Sequence, residues 1–256
     1  KMKLFRFVLF VFMIFFCSCD ISIISTVDEN SIVGYFEDTE THKVFGFGNT
    51  EAKNNVLVVI GMDVYKERIE PIGTGNMSSK ILNYLINPTL YYYHPTDPNS
   101  SVFNEEYVSN WFDWKDSFLT YEDAYYYVII TKDENKIMQA IKSSDLLFNY
   151  FVLYFHGDRS YINSRAITSA DLVYNFDDKE IQNSFSPNCF SLVISCNSNG
   201  LGLSNYSFAV VLSYLIGTKN MYASSSVVFD DKEITRNFYG DFKKVSYLDY
   251  DLDNVY

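Results

Sequence analysis

The sequence predicts an α/β domain with a mostly parallel central sheet, and three observations support this fold class. Apolar runs rich in β-branched and aromatic residues alternate with stretches of helical periodicity, which is the pattern of strand–helix–strand units. The run NVLVVIG at 55–61 is continuously apolar, as expected for a strand that is buried on both faces. With 256 residues, 48% of them hydrophobic, the chain can form one sizeable core.

The predicted elements follow one another in a regular order. A helix at 76–86 follows the first strand, with Ser78 or Ser79 as its N-cap. Residues 87–123 contain three prolines and many aromatic residues, which favours an elaborated loop with a short helix over an inserted lid. The remaining elements are a strand at 124–131, a helix at 133–148, a strand at 149–157, short helical pieces at 167–176 and 179–185, a strand at 189–196, a helix at 204–217 closed by Gly217, and a strand at 219–228.

These elements divide the chain into four parts. Residues 1–19 are predicted to be an export signal and residues 20–50 a linker or small N-terminal extension. Residues 51–231 form the α/β domain, with 87–123 as its aromatic-rich insertion. The tail at 232–256 is acidic and aromatic, and the sequence leaves open whether it completes the fold.

Charge and ligand content argue against several classes of function. The formal net charge is −12 and no cluster of Lys and Arg is visible, which argues against a protein that tracks nucleic-acid phosphates. Three scattered histidines and the lack of a Cys-x-x-Cys pair leave no metal-ligand cluster. We therefore expect neither a nucleic-acid partner nor a metal or other cofactor.

The amino-terminal segment has the layout of an export signal. KMKLFR is positively charged, FVLFVFMIFFC is an apolar run of eleven residues, and SCD ends it with small residues. Such a run is too short for a comfortable membrane span. The exit resembles a bacterial lipobox, which implies lipidation of Cys19 and a membrane anchor in the cell envelope. The alternative is a simple cleaved signal and a secreted protein.

Two cysteines, Cys189 and Cys196, remain once the signal and the lipidation residue are set aside. Seven residues apart on one strand, they would lie roughly 23 Å from each other at about 3.3 Å per residue. A disulfide requires Cα atoms within about 7 Å, so these two cysteines cannot pair with each other. An exported protein that keeps a free thiol at the end of a strand suggests a function for that thiol.

Two predicted strands end in residues that can act as an acid/base group or a nucleophile. The run YFVLYF is followed by His156 and Gly157, and the run SLVIS is followed by Cys196. If the strands are neighbours in a parallel sheet, a thiol and an imidazole meet at one edge as a nucleophile and an acid/base group. The backbone N–H groups of Gly157 and Cys196 could then hold an oxyanion. The plainer interpretation is a histidine satisfied at a strand end and an inert buried thiol.

A second nucleophile, Ser198, lies in CNSNG, which imitates the G-x-S-x-G elbow of α/β-hydrolases. In that fold the acid and the histidine follow the serine along the chain. His42, His94 and His156 all precede Ser198, so a hydrolase of this type would lack its base. We therefore interpret Ser198 as a loop residue.

The strand ends resemble those of the caspase-like (clan CD) cysteine peptidases, closest in pattern to the bacterial CHAT, gingipain and clostripain-type domains. ITSADLVYNF is similar to a segment of CHAT-type sequences, and SFAVVLSYLIGTKNMYASSSVVFDD is similar to their next unit. The well-matched part covers about 150–231. The resemblance implies a three-layer caspase-like fold, with helices on both sides of a mostly parallel sheet.

The resemblance also implies roles for individual residues. Cys196 would be the nucleophile, His156 would handle protons at the leaving group, and Gly157 with Cys196 would donate to the oxyanion. The substrate pocket would be shaped by residues after the next strand, which are Ser224, Ser225, Asp230 and Asp231.

The function this predicts is an exported, lipid-anchored cysteine endopeptidase that cleaves a peptide or protein substrate through an acyl-enzyme. The alternative is a catalytically inactive caspase-like surface lipoprotein that acts as a binding module, with residues 87–123 as its contact surface.

Overall fold

The computed structural model describes residues 32–71, 76–81, 89–92, 109–113, 123–158, 161–162, 167–168, 176–196, 198, 207–224, 229–230, 237–240 and 242–245. The predicted export signal, Cys19, Ser225 and Asp231 lie outside these residues. Within the described ranges, none of the helices is long and apolar enough to cross a membrane.

The described strands and helices confirm the predicted alternation, except that Ile167–Thr168, at the start of a predicted helical piece, form a strand. The strands up to the middle of the chain are β1 (Ile32–Asp38), β2 (His42–Gly48), β3 (Asn54–Gly61), β4 (Thr89–Tyr92), β5 (Ser109–Asp113), β6 (Ala124–Thr131) and β7 (Phe148–Tyr154). Those that follow are β8 (Gly157–Asp158), β9 (Tyr161–Ile162), β10 (Ile167–Thr168), β11 (Phe185–Ile194), β12 (Asn220–Ser224), β13 (Phe229–Asp230), β14 (Asn237–Gly240) and β15 (Phe242–Lys244). The helices are α1 (Met62–Val64), continued by a π-helical segment (Tyr65–Ile69), then α2 (Met77–Ile81), α3 (Glu134–Ser144), α4 (Lys179–Asn183) and α5 (Phe208–Leu215).

The main sheet has the strand order β1-β2-β6-β3-β7-β11-β12-β15 in the part of the chain that is described. The five central strands, β6, β3, β7, β11 and β12, are parallel to one another. β2 and β15 run antiparallel to their neighbours in this core, and β1 pairs antiparallel with β2 at the edge. The predicted α/β class with a largely parallel sheet is therefore confirmed.

The sheet extends beyond both ends of the predicted domain at 51–231. β1 and β2 belong to the stretch assigned to a linker or extension, and β2 pairs with β6 along its whole length. β15 belongs to the tail and closes the opposite edge beside β12. The described residues of the 87–123 insertion form two strands, β4 and β5, which pair with each other and join β14 and β13 in a separate sheet. These residues do not test the predicted short helix.

The main sheet separates two hydrophobic cores. On the side that we call face A, α3, α4 and α5 pack over the strands, and the strand residues Phe151, Leu153 and Val193 belong to this core. On the opposite side, face B, α1, the π-helical segment and α2 pack over residues that include Tyr154 and Ile194. Alternate residues of one strand point to opposite faces, so a strand position determines which core it meets.

Local signals set the helix ends. Asp133 caps α3, because its side chain accepts a hydrogen bond from the N–H of Asn135. Asp145 follows α3 in a left-handed conformation, with φ of 51°, and stops the helix before the predicted end at 148. Ser207 caps α5 in the same way as Asp133. Gly217, at φ of 68°, follows α5 as the sequence predicts, because glycine adopts this conformation without steric cost.

We expect Gly48→Ala to destabilise the fold more than Gly217→Ala. Both glycines have positive φ, so either alanine costs about 1–2 kcal/mol for its left-handed backbone. A Cβ at Gly48 would also lie 2.3 Å from the carbonyl oxygen of Ala124 in β6, whereas a Cβ at Gly217 would have no atom within 4 Å. Chemical denaturation should show at least about 1 kcal/mol of additional loss for Gly48→Ala. Equal losses would contradict the close approach of β2 and β6.

His42, the first residue of β2, makes the stability of this edge depend on pH. Its side chain is buried, with Nε2 3.4 Å from Oε2 of Glu37. Desolvation by burial lowers the pKa of His42 below its usual 6.5, and this outweighs the raising effect of Glu37 and Asp133, while Lys136 lowers it further.

We expect the free energy of unfolding to fall as the pH drops below about 6.5, because the unfolded state then binds a proton that the folded state resists. Above that pH the contribution of His42 is fully present. Urea unfolding between about pH 8 and pH 5 should show a smaller decline for His42→Gln than for the wild type. Parallel declines in the two proteins would show that burial does not hold His42 neutral.

Candidate functional site

Register places the two predicted strand ends side by side. β7 and β11 are parallel neighbours, with Phe190 opposite Tyr150 and Ile194 opposite Tyr154, an offset of 40 residues in both pairs. The backbone continues this pairing, because the N–H of Phe155 donates to the carbonyl of Ile194 at 3.3 Å. Carried two residues past the last paired position, the same offset would put residue 196 opposite residue 156, which are the cysteine and the histidine that the sequence singles out.

The last residues of the two strands face the same core. Tyr154 and Ile194 lie in the face-B core. β7 and β11 end at these two residues, and His156 and Cys196 each follow two positions later at the carboxyl edge of the sheet. Ligands of open α/β sheets bind at this edge. His156 is exposed and Cys196 is half-buried, so both can be reached from solvent.

Glu67 holds the imidazole of His156. Its Oε2 lies 3.2 Å from Nε2 of His156, and both side chains are exposed, at 59% and 45%. An ionised carboxylate can only accept hydrogen bonds, so this contact fixes the tautomer in which Nε2 carries the proton and Nδ1 is the acceptor. Because exposed ion pairs add little to stability, the effect of Glu67 is on the orientation of the ring.

The π-helical segment determines where Glu67 points. Tyr65 and Ile69 at its two ends are buried in the face-B core, and the N–H of Glu70 donates to the carbonyl of Tyr65 at 2.8 Å. Burial raises the pKa of Tyr65 to about 12, so this residue stays neutral in the core. With both ends anchored, Glu67 in the middle faces outward to His156. Such widened turns are frequent at functional sites.

The two described cysteines have opposite environments. Cys189 is fully buried in β11, and its Sγ accepts from the hydroxyl of Ser191 at 3.7 Å. Burial raises the pKa of the Cys189 thiol to about 12, so it remains protonated. Cys196 is half-buried and free of a disulfide. Of these two, Cys196 is therefore the thiol that solvent can reach, and it follows the end of β11 just as His156 follows the end of β7.

Ser198 is unsuited to be a nucleophile. Its side chain is fully buried, and its hydroxyl donates to the carbonyl of Ser195 at 3.0 Å. A hydroxyl committed to an internal bond cannot reach a substrate. The structure thus agrees with the interpretation of Ser198 as a loop residue.

The other predicted site residues that the structure describes belong to different sheets. Gly157 follows His156 directly and opens β8, which pairs with β9. Ser224 ends β12 and is fully buried; the pairing of Val193 with Ala223 brings it opposite Ile194, next to the site. Asp230 lies in β13, opposite Phe238 of β14 in the separate sheet.

Among the described residues, no group of three or more His, Cys, Asp or Glu side chains is arranged to hold a metal ion. Comparison with protein-family models, curated proteins and solved structures gives no match.

The contact of Glu67 with His156 could not be predicted from the sequence. Glu67 lies in MDVYKERIEP, after the first predicted strand and before the next helix, with nothing in the sequence to distinguish it from Asp63 or Glu70. The signal would have been the strand order, because β3 is the direct neighbour of β7. An acidic residue in the first turns after β3 then falls beside the end of β7.

We expect iodoacetamide to modify Cys196 at least about a hundredfold faster than Cys189 in the folded protein near pH 8, because alkylation requires an accessible thiolate. Mass spectrometry of the peptides that contain each cysteine measures the two rates separately. Addition of urea should abolish the difference. Comparable rates in the folded protein would mean that burial does not protect Cys189.

Proposed function

We propose that the protein is a cysteine endopeptidase that cleaves peptide bonds through Cys196 and His156. The observation that carries this proposal is the register of β7 with β11, which pairs Tyr154 with Ile194 and joins Phe155 to Ile194 just before His156 and Cys196. The contact between Glu67 and His156 adds an orienting carboxylate. A nucleophile, a base and a group that orients the base are the usual parts of an activated nucleophile.

The proposed reaction begins with proton transfer from the thiol of Cys196 to Nδ1 of His156. The thiolate attacks the peptide carbonyl carbon, a C–S bond forms, and the carbonyl oxygen becomes an oxyanion that backbone N–H groups of Cys196 and Gly157 stabilise. The imidazolium then protonates the leaving nitrogen and the C–N bond breaks. Water then attacks the thioester carbon and gives a proton to His156. The C–S bond breaks, the acid is released, and the thiolate of Cys196 takes the proton back from the imidazolium.

The carboxylate of Glu67 has two effects in this scheme. It keeps the Nε2 proton of His156 in place, so that the other ring nitrogen faces the thiol. It also stabilises the imidazolium that forms while the proton is held. Because the pair is exposed, Glu67 should contribute to the rate more than to the free energy of unfolding.

The wider assignment rests on the sequence. A caspase-like fold is supported by the α/β class and by the order of the two strands that carry the dyad. Export, the lipid anchor on Cys19 and the bacterial cell envelope as location are proposed from the amino-terminal segment. The substrate is a peptide or protein, and the resemblance implies a first pocket shaped by Ser224, Ser225, Asp230 and Asp231.

A panel of peptidyl ketones with basic, acidic and apolar first residues tests the proposal. We expect rapid labelling at Cys196, and a rate at least about a hundredfold lower in His156→Gln, because acid/base assistance is lost. Glu67→Gln should lower the rate about tenfold, since a neutral amide orients the ring less firmly than a carboxylate. Mass spectrometry follows the adduct, and the most reactive ketone identifies the preferred residue.

Two variants serve as controls. Glu70→Gln removes an exposed carboxylate from the same region and should leave labelling unchanged. Cys189→Ala removes the buried thiol and should also have no effect on the rate at Cys196. Slow labelling that is the same for every ketone and in every variant would contradict the peptidase and favour a non-catalytic binding module.

A further inference from the structure

The loop after the nucleophile is closed by Ser198. Its hydroxyl donates to the carbonyl of Ser195 at 3.0 Å, a bond that joins residues on either side of Cys196. A serine that bonds a nearby backbone group in this way defines the local turn without help from a regular element. Since Ser198 is fully buried, water does not compete for this bond.

The same residue ties the loop to a helix. The carbonyl of Ser198 accepts a hydrogen bond from the N–H of Ala209 at 2.9 Å, in the first turn of α5. That helix is capped by Ser207 and buried along most of its length against face A. The first-turn N–H groups of a helix have no partner within the helix, so the loop both satisfies one of them and gains a rigid support.

Cys196 therefore lies between two fixed points. Before it, the carbonyl of Ile194 is bonded to the N–H of Phe155, next to His156. After it, Ser198 joins the loop to its own strand end and to α5. The distance between a thiol and its base must be held closely, because a displacement of about 1 Å can cost about a hundredfold in rate.

We propose that Ser198 is the positioning residue of the site, holding Cys196 in the register that faces His156. This inference rests on the proposed peptidase function. Ser198 does not touch the substrate; it acts through the turn and through α5. Ser198, which resembles a nucleophile in its sequence motif, thus positions the proposed nucleophile, Cys196.

Ser198→Ala tests this assignment, with Ser213→Ala as its matched control. Ser213 is also fully buried and donates to a backbone carbonyl, that of Val210, at 2.8 Å, but within α5 and away from the loop. Two rates at Cys196 are compared in each full-length protein. Iodoacetamide requires only a reactive thiol, whereas the best peptidyl ketone also requires the base and the oxyanion donors to be in place.

We expect Ser198→Ala to lower the ratio of ketone to iodoacetamide rate about tenfold or more, with the loss in the maximal labelling rate and not in ketone affinity. Ser213→Ala should lower stability by a similar amount and leave the ratio unchanged. An unchanged ratio in Ser198→Ala, or an equal fall in both variants, overturns the positioning role while the peptidase stands. A wild type that does not react with any ketone overturns both.

Discussion

The parallel pairing of β7 with β11 is the interaction on which the geometry of the proposed site depends. One register, fixed by backbone hydrogen bonds, brings residues 156 and 196 to the same edge although 40 positions separate them in the chain. A slip of one residue would turn one of the two side chains to the opposite face. Because both strands are buried on both faces, such a slip would also place the wrong residues in each core, so packing protects the geometry of the site.

The two faces of the sheet contribute differently to this edge. Face B brings Glu67 to His156 through a π-helical segment anchored by Tyr65 and Ile69. Face A brings α5 to the loop after Cys196 through Ser198. Face B thus orients His156, and face A supports the loop that contains Cys196. The two strands set the distance between the ends that carry these residues. Exposed polar groups at the edge are held by buried apolar contacts beneath them.

Much of the fold could be predicted from the sequence because buried parallel strands and amphipathic helices leave strong patterns. The apolar runs give β3, β6, β7 and β11, and Gly217 marks the end of α5. Strand order leaves no such pattern, since it depends on contacts between distant segments. That is why the sequence does not predict the pairing of β2 with β6 or the contact of Glu67 with His156. Gly46 shows the difficulty, because it is required only where Tyr125 of β6 packs over it.

The register of positions 156 and 196 can be measured directly by replacing His156 with cysteine and testing whether the new residue forms a disulfide with Cys196. Neighbouring strands lie about 4.8 Å apart, within the Cα separation of about 4.4–6.8 Å that a disulfide allows. Mild oxidation of His156→Cys should give the cross-linked peptide pair in high yield, whereas Gly157→Cys, one residue along the chain, should cross-link poorly. Equal yields from the two variants, or none from His156→Cys, would contradict the register that the site requires.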